Sequence, residues 1–361
     1  MIDLKEHTRG GHFGPWLKFF ATEFVSRFDR VAIVTPNPNL TRGLFQKDDV
    51  KKNDSLSFHK LPWRFKIVLA LNYLAKKLAS SSEQVTFFLM WGDDLIRLLR
   101  IKQDIQWATL SGISRIHRQP GDEKSNSEKA LLSIVESDPN CRSFFQPDGY
   151  IKNPSSKAIW IPVIEDIQTL SLPTILVEKI KRFRSDKITI GSFGILTGGR
   201  CLNALLELAR CQPNVNFVIV GKINYRTVDK GLCADLIQGK RCNLFIHPYF
   251  LEAEEELNSA IEVVDGIFID GENYVPHSGI VCKGLHFGKG IISPIGNSWT
   301  NDVINEGRGI SYNDPTFDLQ SKWTEWKNNG GPEKAMQKSA AMRSSLAVKQ
   351  SFDQLTKSLI R

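Results

Sequence analysis

Hydrophobic and polar positions alternate most clearly in the second half of the chain. Residues 187–192 (KITIGS) form a short β-branched run ending in Gly and Ser, the pattern of a buried strand. Residues 203–210 (NALLELAR) place Leu and Ala at helical spacing. Further apolar runs follow at 216–220 (NFVIV), 243–247 (NLFIH), 266–270 (GIFID), 290–293 (GIIS) and 309–312 (GISY). Helical stretches are predicted near 228–238, at 252–264, at 279–287 and near 301–306. Strand and helix thus alternate through short connections. This predicts parallel strands joined by right-handed crossovers, a doubly wound sheet.

The first half repeats the theme less clearly. An amphipathic helix is predicted over 13–28, with Pro15 in its first turn where proline is tolerated. Strands are predicted at 30–35 (RVAIVT), 85–90 (VTFFLM), within 107–116 and at 159–164 (IWIPVI), and a helix at 63–78. The first strand of a doubly wound domain is central, yet only residues 1–4 are available for it. Either that strand is very short, or the natural start lies upstream of Met1. With 361 residues and ~150 per domain, two or three units are expected. A prolyl, charged hinge over 165–185 divides them. The predicted boundaries are 1–170, an N-terminal doubly wound domain; 171–332, a C-terminal doubly wound domain; and 333–361, a polar helical tail.

Composition narrows the class without selecting a function. Hydrophobic residues make up 41% and charged residues 24%, which excludes a disordered or collagen-like chain. No run is long and apolar enough for a membrane span, and MIDLKEHTRGG lacks a signal-peptide core. A cytoplasmic location is therefore expected. Six cysteines lie at 141, 201, 211, 233, 242 and 282, none in a CxxC pair, so no zinc ribbon or redox motif is offered. The net charge of +8 permits an anionic substrate, a phospholipid surface or nucleic acid.

Ligands of doubly wound sheets bind at the carboxyl ends of the strands, where helix N-termini present free N–H groups. Three segments fit such places. Gly10-Gly11-His12-Phe13-Gly14-Pro15 follows the first strand; His12 there either caps the helix or takes a proton from a hydroxyl near neutral pH. The segment from Gly191 to Arg200, containing Gly194, ends in small residues and one cation, as a diphosphate cradle would. Pro276-His277-Ser278-Gly279-Ile280-Val281-Cys282-Lys283-Gly284 offers Ser278 as an N-cap and Gly279 as room for an oxygen-rich ligand. Glu272, just upstream, reads either as an acceptor for sugar hydroxyls or as an exposed loop acid.

Taken together these segments resemble a GT-B-fold glycosyltransferase, specifically the "glycosyl transferases group 1", a family-4-like group. ITIGSFGILTGGRCLNALLELARCQPNVNFVIVG is similar to that group's donor-domain opening, and VPHSGIVCKGLHFGKGIISPIGNSWTNDVINEGRGI to its nucleotide-sugar-gripping stretch. The resemblance implies an α/β fold of two Rossmann-like, doubly wound domains facing a central cleft. It implies that residues 1–170 bind the acceptor and 171–332 the nucleotide sugar, with Arg200 on the donor diphosphate; the Gly279 backbone and either Lys283 or Lys222 are candidates to meet the growing negative charge, and Gly11 and His277 are further donor-side candidates. The chain departs from the pattern at the retaining members' glutamate pair, where it has Val275 and Lys283. A lysine cannot accept from ribose hydroxyls, but it can pair with phosphate. Gly11-His12-Phe13-Gly14-Pro15 matches the Gly-His-x-x-Pro element of several inverting GT-B enzymes, which implies His12 as general base. Asp93 and Asp94 are candidates to orient it, or are helix caps. His117 is a candidate for holding donor or acceptor sugar, or is a structural histidine.

The implied activity is transfer of a sugar, of hexosyltransferase type, from a nucleoside-diphosphate sugar to a hydroxyl of a saccharide or lipid-linked acceptor. Cell-surface polysaccharide or glycoconjugate synthesis is the implied setting. No metal and no cofactor is expected beyond the nucleotide sugar as co-substrate, and the missing glutamate pair points to inversion. Residues 60–77 (KLPWRFKIVLALNYLAKK) read either as a core helix with solvated ends or as a basic, aromatic contact with the inner membrane face. No basic-aromatic stripe singles out nucleic acid. A nucleotide-sugar epimerase or phosphorylase on the same fold, and a non-catalytic degenerate binding protein, remain open alternatives.

Overall fold

The computed structural model describes residues 2–3, 13–43, 45, 55–60, 73, 86–90, 106–110, 137–138, 141–147, 158–161, 169–198, 201–238, 241–251, 253–270, 279–295, 304–342 and 344–360. The chain divides into two compact units, Met1–Ile164 with Arg343–Arg361, and Glu165–Met342.

The first unit is built on a seven-stranded sheet of β1 (Ile2–Asp3), β2 (Val31–Thr35), β3 (Leu56–Lys60), β4 (Thr86–Met90), β5 (Gln106–Leu110), β6 (Cys141–Pro147) and β7 (Ala158–Ile161). Their spatial order is β3-β2-β1-β4-β5-β6-β7, and the pairings are parallel. This is the 3-2-1-4-5-6 doubly wound order, extended by one strand. Of the central strand Ile2 and Asp3 are described, with Ile2 between Val34 and Leu89. Helix α1 (Phe13–Val25) packs on β2, and α2 (Pro38–Gly43) follows it. Phe20 of α1 is fully buried and stacks on Phe88 of β4 at 4.8 Å.

The second unit holds β8 (Thr189–Thr197), β9 (Asn216–Asn224), β10 (Leu244–His247), β11 (Gly266–Phe268), β12 (Gly290–Pro294) and β13 (Gly309–Tyr312). Its order, β10-β9-β8-β11-β12-β13, is again 3-2-1-4-5-6, with parallel pairings. The helices are α3 (Ile175–Arg184), α4 (Leu202–Cys211), α5 (Lys230–Gln238), α6 (Glu254–Glu262), α7 (Gly279–His286), α8 (Leu319–Asn328) and α9 (Gly331–Met342). Ile190, Leu205, Phe217, Ile219, Phe268 and Ile292 share one apolar core. Trp323 of α8 lies flat enough on the sheet that a Cβ at Gly266 or Gly290 would come within 2.5 Å of its ring. The glycines that open β11 and β12 are therefore packing residues, since only a bare backbone leaves room for the indole.

The tail is not one segment. Helix α9 packs on α7 and β12 and stays with the second unit, whereas α10 (Ser345–Ile360) packs on β6 and β7 and belongs to the first. The reason is Phe352. It is fully buried among Phe19, Phe20 and Phe24 of α1, and Arg27 sits 5.2 Å over its ring. Deleting residues 343–361 would open the core of the first unit, not merely remove a tail.

Candidate functional site

In a doubly wound sheet the ligand crevice lies at the switch point, where successive crossovers leave in opposite directions. In the second unit that point falls between the carboxyl ends of β8 and β11. Several glycines shape the strand ends there. Gly194, with φ +104°, pairs with Gly221, φ +145°, so neighbouring strands bend together near their ends. A Cβ at Gly194 would meet nothing within 4 Å, while one at Gly221 would strike the Gly194 carbonyl. Beyond β8 the chain turns at Gly198, whose N–H donates to Thr227 Oγ1 at 2.8 Å. A side chain at Gly198 would overlap the Thr227 carbonyl. The turn after β8 is thus tied to the turn after β9, and Thr227 itself donates to the Asn224 carbonyl at 2.8 Å.

Cys201 follows, at φ +70°, an uncommon conformation for a residue with a Cβ. It occupies the N-cap position of α4 but gives no side-chain cap. Its thiol turns to the other side of the switch point. Sγ donates to the Asp270 carbonyl at 3.2 Å and accepts from the Asp270 N–H at 3.3 Å. Cys201 thus supplies no side-chain acceptor to the first turn of α4, where the Asn203 N–H donates to the Gly198 carbonyl at 3.2 Å. Helix α7, which begins at the buried Gly279, opens from the carboxyl side of β11 as well.

The rim of the same edge is apolar and aromatic. Ile195, Tyr225, Tyr249, Phe250 and Ile295 lie at or just beyond the ends of β8, β9, β10 and β12, and all are exposed. Such side chains offer contact faces to a ring or a sugar. His247, which ends β10, meets Tyr249 edge-on at 5.4 Å. Burial lowers its pKa below the ordinary 6.5; Glu256 opposes the shift and Lys179 adds to it. At the end of β13, Tyr312 stacks on Phe317 at 5.2 Å. Burial, with the charges of Asp270 and Glu207, raises its phenol pKa well above the usual range, so it remains a proton donor.

Of the residues the sequence singled out, Gly194, Lys222, Gly279 and Lys283 fall within the described structure. Gly194 and Lys222 sit one register step apart on β8 and β9, where Ile195 pairs with Lys222, and the lysine is exposed. Lys283 differs from the expectation of a phosphate contact. Its side chain is only 1% exposed, and Nζ donates to Glu254 Oε2 at 2.9 Å and to Asn258 Oδ1 at 2.8 Å. The ammonium faces α6 because α7 buries that flank, and its charge is met by a carboxylate of the same unit. Gly11, His12, Asp93, Asp94, His117, Arg200, Glu272, His277 and Ser278 lie outside the described residues, as does most of segment 60–77.

Sequence reasoning missed Thr227, Cys201, Glu254 and Asn258. For Glu254 a signal existed. A lysine inside the apolar run GIVCKGLH requires an acid nearby, and EEE at 254–256 is the acidic start of the preceding helix. Among the described residues no cluster of His, Cys, Asp or Glu could hold a metal ion. Among them, too, no helix is long and apolar enough to cross a membrane.

The two doubly wound units define the GT-B fold, and solved structures of glycosyltransferases share it. Anabaena Alr3699/HepE in complex with UDP-glucose superposes with a TM-score of 0.65 at 10% identity, over 99% of each chain. Sucrose-phosphate synthase from Thermosynechococcus elongatus does so with a TM-score of 0.63 at 13% identity, over 99% of this chain and 98% of that one. WaaG, a glycosyltransferase involved in lipopolysaccharide biosynthesis, gives 0.56 at 12% identity over 97% of each chain. At such identities the likeness establishes the fold. No protein-family model matches the sequence, and no curated protein sequence matches it.

Proposed function

We propose that the protein is a glycosyltransferase that uses a nucleoside-diphosphate sugar. The observation that carries this reading is the switch point of the second unit. There a side-chain-free turn at Gly198 is pinned to Thr227, and the N-cap thiol of α4 turns to Asp270 instead of capping its own helix. A diphosphate is the anion that suits such a cradle. Arg200, between Gly198 and Cys201, is its cation, with exposed Lys222 on the adjacent strand. Glu272, His277 and Ser278, which precede the buried Gly279, complete the donor side.

The acceptor side belongs to the first unit. His12 takes the proton of an acceptor hydroxyl, oriented by Asp93 or Asp94, with His117 on a bound sugar. The acceptor oxygen forms a bond to the anomeric carbon, and the bond from that carbon to the phosphate oxygen breaks. The diphosphate leaves with the electron pair, and protein cations and helix ends meet its charge without a metal. A displacement of this kind inverts the anomeric centre. The acceptor is a saccharide or a lipid-linked saccharide, which fits a cytoplasmic site with access to the inner membrane face through residues 60–77.

A donor screen tests the reading. A ligand that binds only the folded state at 100 times its Kd stabilises it by about 2.7 kcal/mol. One family of nucleoside diphosphates and its sugars should raise Tm, and Arg200→Ala should abolish the rise without lowering the Tm of the free protein. No response to any nucleotide sugar would refute the reading. Turnover of the donor without an acceptor to a different free nucleotide sugar would assign an epimerase instead.

A further inference from the structure

The turn after β8 is fixed at two points, and only Gly199 and Arg200 lie between them in sequence. The first point is Gly198. Its N–H donates to Thr227 Oγ1 at 2.8 Å, and its carbonyl accepts from the Asn203 N–H at 3.2 Å. The second is Cys201. Its thiol exchanges hydrogen bonds with the Asp270 backbone at 3.2 and 3.3 Å, and its carbonyl accepts from the Leu205 N–H at 3.1 Å. Cys201 holds φ +70°, a conformation that persists in a residue with a Cβ only where the surroundings over-determine it. A displacement of either point displaces what the two intervening residues present.

Thr227 is the distant member of this arrangement. It is exposed, so it contributes little to the core. A threonine in a turn commonly bonds its own turn, and Thr227 does so by donating to the Asn224 carbonyl at 2.8 Å. The same oxygen accepts from Gly198, 29 positions earlier. A hydroxyl has one proton to give and lone pairs to receive, so both bonds are made at once. The turn that carries it, Tyr225–Thr227, is followed by the buried Val228. Next to Val228, the Asp229 N–H donates to Asn203 Oδ1 at 3.1 Å, a second tie between the two turns. Their approach is so close that a Cβ at Gly198 would overlap the Thr227 carbonyl.

We propose that Thr227 is a positioning residue for donor binding. By holding Gly198 it sets the place of the Gly199–Arg200 segment, and so the affinity for the diphosphate, without touching the ligand. This rests on the nucleotide-sugar reading and adds to it a residue on the turn of the neighbouring strand.

Calorimetric titration of the full chain with UDP tests the assignment, with another nucleoside diphosphate in its place if the donor screen selects one. Thr227→Val removes the hydroxyl at nearly constant shape. It should weaken binding about 3- to 10-fold, the net worth of one neutral hydrogen bond. Thr227→Ser keeps the hydroxyl and should bind within about twofold of the wild type. Arg200→Ala, titrated at the higher UDP concentrations its weaker affinity requires, has already lost the phosphate contact. In that background Thr227→Val should cost less than about twofold more, the mark of two residues acting through one segment. A merely structural threonine would lower the urea midpoint without this coupling, so unfolding is followed in the same variants. Thr227→Ala replaces Thr227→Val if the latter does not fold. A hydroxyl-free variant with wild-type affinity, a Thr227→Ser variant as weak as it, or an undiminished loss in the Arg200→Ala background overturns the assignment. If the wild type binds no nucleoside diphosphate, the glycosyltransferase reading itself falls and this assignment with it.

Discussion

Replacing Glu254 by glutamine, Lys283 by methionine, and both together should give a stability series with a defined order. The two partners are unequally buried, with Lys283 at 1% and Glu254 at 24% exposure. Glu254→Gln leaves an ammonium that water cannot reach, facing neutral amides. Breaking a buried pair in this way costs about 3–5 kcal/mol. Lys283→Met leaves a carboxylate that can rehydrate through its exposed side, and the unbranched thioether fills much of the lysine stem's volume. The loss should then be nearer the ~1–2 kcal/mol of a charged hydrogen bond. The double variant has no charge to compensate and should cost about 1 kcal/mol or less, because replacing both partners by neutral groups is often neutral. The coupling energy, the double loss minus the two single losses, is thus about 3–7 kcal/mol in magnitude, far from additive. Urea unfolding by fluorescence and circular dichroism measures it, provided the m-values agree across the series. A Lys283→Met variant less stable than Glu254→Gln, or a double variant whose loss equals the sum of the singles, would refute the burial argument.

His12→Ala should lower turnover about 10²–10⁴-fold with donor affinity nearly unchanged, and NMR of the product should show an inverted anomeric centre. Normal turnover with weakened donor binding would make His12 a binding residue instead. His247 makes a prediction about pH. Its folded pKa lies below 6.5, so in the window below that value the unfolded state binds more protons and stability falls as the pH falls. His247→Gln should therefore lose less stability than the wild type between pH 6.5 and 5; equal losses in the two proteins would show that this imidazole is not the group responsible.

The elements of the second unit are legible because a parallel sheet covered on both faces needs continuous apolar strands, and NFVIV, GIFID and GIIS are such strands. Two strands of the first unit escaped the same reasoning. β3, LSFHK, alternates partly buried and exposed positions at the edge of its sheet, and β6, CRSFFQP, has polar residues and a terminal proline. Strand length also misled. Residues 187–192 looked complete at Gly191, yet β8 runs to Thr197. Its continuation contains Gly194, and a glycine reads as an end. Here it is an interior position at φ +104°, paired with Gly221, at which a Cβ would strike the Gly194 carbonyl. The tail divided for a similar reason. Its polar periodicity over 333–360 reports a helix but not which core takes its sparse apolar residues, and Phe352 finds its aromatic partners in α1.

The candidate site shows where local sequence reasoning stops. Glycines at strand ends and a small-residue helix start are local signals, and they point to the carboxyl edge of the sheet. What a charged side chain does there is set by residues distant in sequence. Lys283 in GIVCKGLH is compatible with a phosphate contact or with an internal ion pair. Nothing within the segment separates them, because the deciding partners, Glu254 and Asn258, lie 29 and 25 positions away on another helix. Cys201 shows the same limit in reverse. As the residue before a helix it reads as a poor cap, whereas its partner Asp270, 69 positions away, makes that poor capping useful. The thiol spans the switch point with one bond in each direction. Both residues break a local rule, a lysine without water and an N-cap without a cap, and in both the compensation lies at the carboxyl edge of the same sheet. Local rules broken together at one edge, with long-range partners for each, are the pattern that functional sites produce, and that is why this edge is the one to test.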